Sequence, residues 1–257
     1  MEVPEVAVIT GAGRPWSLGR ACALQLAAKG IQIVVADSRA DWGAQAVSAL
    51  QEVSGTRAVF VETDVGRRDD VKAMVDYALD SFGRIDILIN SAAIVENVPL
   101  ADIDDAHIDR VIGINLRGTI LTCQAVAPVM RRQGGGRIIN LASGAAVRPL
   151  RNAGVYSASK AGVVALSRVL ALELAEDDIV VTVVAPGPMG NNMGSEEAPQ
   201  RADDVGTTTA AAGIPPQPFG SFPSPIQVAE VITYLATSSS PILAGQTLHA
   251  NAGAWMT

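Results

Sequence analysis

The chain has 257 residues, 49% of them hydrophobic, 18% charged and 4% aromatic, with 19 basic against 26 acidic side chains for a net charge of −7. That is too apolar for a disordered chain and long enough to bury a large core. The acidic balance excludes a general nucleic-acid binder, which needs a basic face to meet phosphates.

The N-terminus, Met1-Glu2-Val3-Pro4-Glu5, is acidic and runs straight into a strand pattern. A leader peptide would be basic and then apolar, so a cytoplasmic setting is expected. Val6–Ile9 reads as a buried strand, Leu18–Lys29 as a helix closed by Gly30, and Ile31–Val35 as a second strand. A helix is predicted over Trp42–Glu52, a strand over Ala58–Val61, and a helix over Arg67–Phe82 ended by Gly83. Ile85–Ile89 is a fourth strand, Asp104–Arg132 one long helix, and Arg137–Leu141 a fifth strand. Tyr156–Glu176 is helical and Ile179–Ala185 a sixth strand. Pro186–Pro225 is rich in Pro, Gly, Asn, Ser and Thr, and a loop that long inside a domain reads as a lid, about 187–225. Ile226–Ala236 then forms a helix and Thr247–Ala250 a last strand. The Val/Ile runs are continuous rather than alternating, the mark of strands covered on both faces. Their alternation with helices predicts an α/β fold: one domain over 1–257, a doubly wound parallel sheet in a three-layer α/β/α stack. No apolar run reaches the ~18 residues of a membrane span, since Arg168 and Glu173 interrupt the stretch from Gly162 to Ala175. No membrane partner is therefore expected. Cys22 and Cys123 fall in separate helical segments and read as buried thiols, with no disulfide and no metal site.

Between the first strand and the first helix lies Gly11-Ala12-Gly13-Arg14-Pro15-Trp16-Ser17-Leu18-Gly19. Glycines there let the backbone approach a pyrophosphate, and the helix N-terminus points its partial positive charge at it. A glycine turn alone is a weak signal, because many are left-handed turns without a ligand. Asp37, at the end of the second strand, strengthens it by placing a carboxylate where adenosine ribose hydroxyls would sit. This is a Rossmann-like arrangement, with Gly11, Arg14, Ser17, Leu18, Gly19 and Asp37 as cofactor-binding candidates. The carboxylate would repel a 2′-phosphate, which favours NAD, while Arg14 and Arg39 keep NADP open.

Tyr156 and Lys160 stand four residues apart at the start of a predicted helix, which puts them on one face. A cation beside a phenol stabilises the phenolate and draws its pKa below ~10, so the pair can exchange a proton with a hydroxyl or carbonyl. Such pairs also occur by chance on helix surfaces. The ordered set around this one is far more specific. From Thr10 to about Gly187, and more loosely to the C-terminus, the chain resembles the short-chain dehydrogenase/reductase family. Its Tyr-x-x-x-Lys matches Tyr156 and Lys160, and its serine matches Ser143. Its helix asparagine matches Asn115, its adenine contact Asp64-Val65, and its Pro-Gly matches Pro186-Gly187.

The resemblance implies that Tyr156 is the acid/base, that Lys160 tunes it and holds the nicotinamide ribose, and that Ser143 bonds the reacting oxygen. Asn115 would hold a water joining Lys160 to solvent. Asn90, Ala92 and Met189 join the expected cofactor contacts, and the chain is expected to form a homodimer or homotetramer. The chain departs from the family in four places. The glycine turn carries two extra residues and Ser17 in place of its middle glycine, as in the family's enoyl reductases. Ala93 replaces a glycine, no threonine follows Pro186-Gly187 so that Asn191 or Asn192 would bind the carboxamide, and Asn251-Ala252-Gly253 stands near the end. From Ala202 to Thr257 there is no lysine or arginine, which suits an apolar secondary alcohol or ketone. Arg148 and Arg151 could instead meet a carboxylate or an acyl thioester. Three functions stand: an NAD-dependent alcohol dehydrogenase or ketone reductase, a 3-hydroxyacyl-thioester dehydrogenase or 3-oxoacyl reductase, and a non-catalytic partner subunit.

Overall fold

Alternate residues of each strand face opposite layers, and here both layers are apolar. In the computed structural model, which describes residues 4–52, 56–148, 150–189, 218 and 222–255, Ala7 and Ile9 of strand β1 (Val6–Thr10) point into one core and Val6 and Val8 into the other. Strands β2 (Gln32–Asp37), β3 (Ala58–Glu62), β4 (Ile87–Asn90), β5 (Gly136–Leu141), β6 (Ile179–Pro186) and β7 (Thr247–Ala250) complete a sheet of order β3-β2-β1-β4-β5-β6-β7. Every neighbouring pair is parallel. Helices α1 (Leu18–Ala27), α2 (Ala40–Gln51) and α7 (Pro225–Thr237) cover one face; α3 (Arg68–Phe82), α5 (Gly118–Gln133) and α6 (Gly154–Glu173) cover the other. The three-layer α/β/α arrangement is therefore as expected, and burying each Val or Ile contributes about 1.5–3 kcal/mol.

The strand order positions the site. From β1 the chain moves outward through β2 and β3, then returns to place β4 on the other side of β1. Crossovers leave β1 and β4 in opposite directions, so a crevice opens beyond their C-terminal ends.

The long helix predicted over Asp104–Arg132 is interrupted. Helix α4 (Asp105–Ile112) passes through one π-helical turn, Gly113–Arg117, before α5 begins. The turn forms where two tertiary demands meet. Asn115 directs its carboxamide at the backbone of Ile94, and Gly118 lies so near Val65 that a Cβ there would sit 2.7 Å from Val65 Cγ2. Such one-turn bulges recur at functional sites. Helix α6 spans 20 residues and is long and apolar enough, by length and composition, to cross a membrane, which the uninterrupted-run criterion did not register. Its face bearing Tyr156, Ser159, Lys160, Val163 and Ser167 is buried against the rest of the chain. Most of the expected lid, with Asn191 and Asn192, lies outside the described residues.

Candidate active site

The crevice at the switch point is a cleft of about 430 Å³. Its walls combine the ends of β1, β2, β4, β5 and β6 with the N-terminal parts of α1 and α6. At one end lies the glycine turn. Gly11 has φ +67°, and a Cβ there would stand 2.8 Å from Ala92 Cα; a Cβ on Gly19 would stand 2.6 Å from the Gly11 carbonyl oxygen. Both positions admit glycine because backbone meets backbone. Ser17 caps α1, its Oγ accepting from Arg20 N at 3.1 Å and donating to Gly11 O at 3.3 Å. The serine that replaces the family's glycine thus ties the lengthened turn to the helix it introduces. Leu18, the first residue of α1, lines the cleft, so the positive end of the helix abuts it. Thr10 Oγ1 accepts from Ser91 N and Ala92 N, each at 3.1 Å, and clasps the ends of β1 and β4 together.

Beneath the turn lies Arg20, 8% exposed. Its guanidinium donates to Ala12 O at 3.0 Å, Trp42 O at 3.1 Å and Gln45 O at 3.4 Å, and also to Gly13 O. It joins the turn to the N-terminal half of α2 and so to Trp42, whose ring lies 5.5 Å from the Arg14 and 4.3 Å from the Arg39 guanidinium carbon. Asp37 is 9% exposed and lines the same end. Its carboxylate accepts from Gly13 N at 2.9 Å and Arg39 N at 3.2 Å. Burial raises its pKa, and the backbone N–H groups of Gly13, Arg39, Arg14 and Ser38 oppose that rise. Asp64 and Val65 line the cleft nearby.

Ser143, Tyr156 and Lys160 meet at the other end. Ser143 caps a short 3₁₀ turn, Gly144–Ala146, accepting from Ala145 N at 3.1 Å. Burial raises the Tyr156 pKa, and its hydrogen bond with Ser143 draws it back. Lys160, 3% exposed, donates from Nζ to Leu141 O at 2.8 Å, and burial lowers its pKa to about 8. The Tyr156–Lys160 spacing predicts a cation lowering the tyrosine; in the fold, desolvation by burial is the largest influence on both groups. Burial therefore keeps the proton on the Tyr156 phenol, the form a proton donor needs to start from. Asn115 is fully buried, donating to Ile94 O at 2.9 Å and Ser159 Oγ at 3.1 Å, while accepting from Ile94 N at 2.9 Å. Ser159 in turn donates to Tyr156 O at 2.7 Å, which links the π turn to the start of α6.

Most of the sequence-based candidates line this one cleft: Gly11, Arg14, Ser17, Leu18, Asp37, Asp64, Val65, Ala92, Ser143, Tyr156, Lys160, Pro186, Gly187 and Met189. Gly19 and Asn115 stand behind its wall. Asn90 lies deeper, donating to Asn140 Oδ1 at 2.8 Å and accepting from Thr122 Oγ1 at 2.7 Å, so its amide ties β4 to β5 and α5. Neither Arg148 nor Arg151 lines the cleft among the described residues. Arg148 stacks on Trp255 at 5.5 Å and reaches Ala254 O at 3.4 Å, and Arg151 is exposed. Trp42, Arg20 and Ser159 went unnoticed in the sequence; the one usable signal was an aromatic residue soon after Asp37 with arginines near it.

Residues 5–202 match the family described as short chain dehydrogenase. Over 251 residues the chain is 30% identical to the short chain dehydrogenase/reductase astE of Aspergillus oryzae, covering 97% of this chain and 94% of that one. It is 34% identical over 250 residues to a 3-oxoacyl-[acyl-carrier-protein] reductase of Synechocystis, covering 97% and 96%. It is also 34% identical over 252 residues to the FabG reductase of the same name from Staphylococcus epidermidis, covering 97% and 98%. A crystal structure from Sinorhizobium meliloti 1021, described provisionally as a short-chain alcohol dehydrogenase, superposes with a TM-score of 0.87 at 28% identity, covering 97% of this chain and 96% of that one.

Proposed function

The chain belongs to the short-chain dehydrogenase/reductase family and is an oxidoreductase of that family; from this premise we propose that it interconverts a secondary alcohol and a ketone with NAD(H). The observation that carries the reading is the meeting of Ser143, Tyr156 and Lys160 in the same cleft as the glycine turn and Asp37. The residues present suit a dinucleotide. The N-terminus of α1 and Ser17 line the cleft where they would meet a pyrophosphate, and the Asp37 carboxylate lines it where it would meet the adenosine ribose. When bound, the nicotinamide supplies the hydride chemistry.

The protein supplies the proton and the alignment. In reduction, Tyr156 gives its phenolic proton to the carbonyl oxygen while Ser143 donates a hydrogen bond to that oxygen. In oxidation, Tyr156 takes the hydroxyl proton. Lys160 stabilises the phenolate and holds the nicotinamide ribose, and Asn115 positions the start of α6 and the proton path behind it. Asp64, Val65, Ala92, Pro186, Gly187 and Met189 complete the dinucleotide contacts. Asp37 disfavours a 2′-phosphate, hence NAD. We also infer a cytoplasmic homodimer or homotetramer; the apolar groove between α5 and α6 and, elsewhere on α6, the 80% exposed Leu172 support the self-association.

A second reading, a 3-oxoacyl-thioester reductase, is favoured by the two relatives of that name at 34% identity. Fluorescence titration with NADH and NADPH tests the cofactor, and a panel of ketones, alcohols and 3-oxoacyl thioesters tests the substrate. No binding of either nucleotide at millimolar concentration sinks the oxidoreductase role and leaves a non-catalytic partner subunit. Tighter binding of NADPH than NADH overturns the use made of Asp37.

A further inference from the structure

The last described residues form a hook. Asn251, 5% exposed, donates from Nδ2 to Trp255 O at 2.9 Å and accepts from Gly253 N at 2.9 Å. Ala252 and Gly253 take left-handed conformations, with φ +49° and +76°, which turn the chain back on itself. The hook follows β7, whose Ala250 carbonyl accepts from Gly187 N at 3.0 Å. This geometry drives the Trp255 indole against two glycines. A Cβ on Gly144 would stand 1.7 Å from Trp255 Cζ2, and one on Gly187 would stand 3.4 Å from Cη2 and 2.8 Å from Asn251 Cβ. Gly144 directly follows Ser143, and Gly187 lines the cleft beside Met189. The Arg148 guanidinium closes the outer side of the ring at 5.5 Å from its centre.

We propose that Trp255 is a positioning residue for the reacting end of the cleft: its ring is the spacer that fixes the backbone after Ser143 relative to the backbone after Pro186. This rests on the oxidoreductase reading, because it assigns the Pro186-Gly187 side to the nicotinamide half of the cofactor. Both contacts are made through carbons of the indole's six-membered ring. The indole N–H is buried without an acceptor among the described residues. Phenylalanine at this position would therefore forfeit no hydrogen bond and would still fill the space between the glycines. Alanine would leave a void there, and both backbone segments could shift into it.

Calorimetric titration of the full chain and of its Trp255→Ala and Trp255→Phe variants, with NADH and with ADP-ribose, tests this without requiring a known substrate. ADP-ribose carries the adenosine, the pyrophosphate and the second ribose but no nicotinamide ring, so it lacks the group assigned to the Pro186-Gly187 side. For Trp255→Ala the expected result is a tenfold or greater loss of NADH affinity with ADP-ribose affinity kept within twofold. Trp255→Phe is expected to keep NADH affinity within threefold of the unchanged protein. Equal losses for the two ligands would show a general structural role and overturn the proposal. Unchanged NADH affinity in Trp255→Ala would overturn it too. An unchanged protein that binds neither ligand would instead overturn the dinucleotide reading, and the spacer role with it.

Discussion

At the scale of single residues the cleft is governed by desolvation. Lys160 holds its proton to about pH 10.5 in the unfolded chain and to about pH 8 in the folded one. Between those values the unfolded state binds more protons, so stability rises with pH; below about 8 the buried cation destabilises the fold in full. Lys160→Met removes that burden, less the lost bond to Leu141 O. Below pH 8 the cofactor-free variant should be more stable by about 1–3 kcal/mol, and the gain should vanish as pH climbs toward 10.5. Urea unfolding at a series of pH values measures it, and a destabilised variant at pH 7 would contradict it. The same variant should lose activity. Tyr156→Phe keeps the ring and deletes the proton, so turnover should fall by about 10²–10⁴ while cofactor affinity holds; steady-state rates beside a binding titration check both parts. These residues were legible in the sequence because their spacing is local, whereas the balance of burial on them was not. How deeply a tyrosine sits depends on elements brought together from across the sheet.

Among the elements, the glycine turn and the π turn show what periodicity conveys and what it misses. Strand–helix alternation places β1 through β7, because each rests on a short pattern of residue types. It read residues 104–132 as one helix, since apolar spacing runs smoothly across the π turn and nothing local announces that Asn115 bonds Ile94. Arg20 escaped notice for a similar reason: in a helix pattern an arginine reads as a solvated side chain. Folded, it is the brace of the lengthened turn, and its acceptors are carbonyls from two separate segments. Arg20→Met would strand those carbonyls and loosen the turn together with Trp42. Affinity for ADP-ribose should fall about tenfold, a loss of roughly 1.4 kcal/mol, and turnover at saturating cofactor should hold within twofold. Equal affinity by calorimetry would show that the turn keeps its shape unaided.

For the whole molecule, the fold was the most legible level, because doubly covered strands must be apolar throughout and the parallel order follows from that. Substrate contacts were least legible. Arg148 and Arg151 fell between Ser143 and Tyr156 in sequence, but the fold turns Arg148 onto Trp255 and leaves Arg151 exposed. Leu172 of α6 is an exposed apolar side chain, and a self-association through that side of α6 should yield to charge. Leu172→Glu should move the sedimentation coefficient toward a smaller species while the far-ultraviolet circular dichroism stays the same; an unchanged coefficient would place the contact elsewhere.

The Thr10 hydroxyl carries a consequence for time as well as for shape. By accepting from two consecutive amides beyond the end of β4, it fastens the mouth of the crevice at a spot where no sheet ladder continues. Ser91 and Ala92 should then exchange their amide hydrogens with solvent deuterium slowly, before any ligand is added. Thr10→Val, which keeps the shape and removes the acceptor, should release that protection. A crevice latched in this way has its width settled during folding, so dinucleotide entry would require no separation of the strands and no waiting for them to separate.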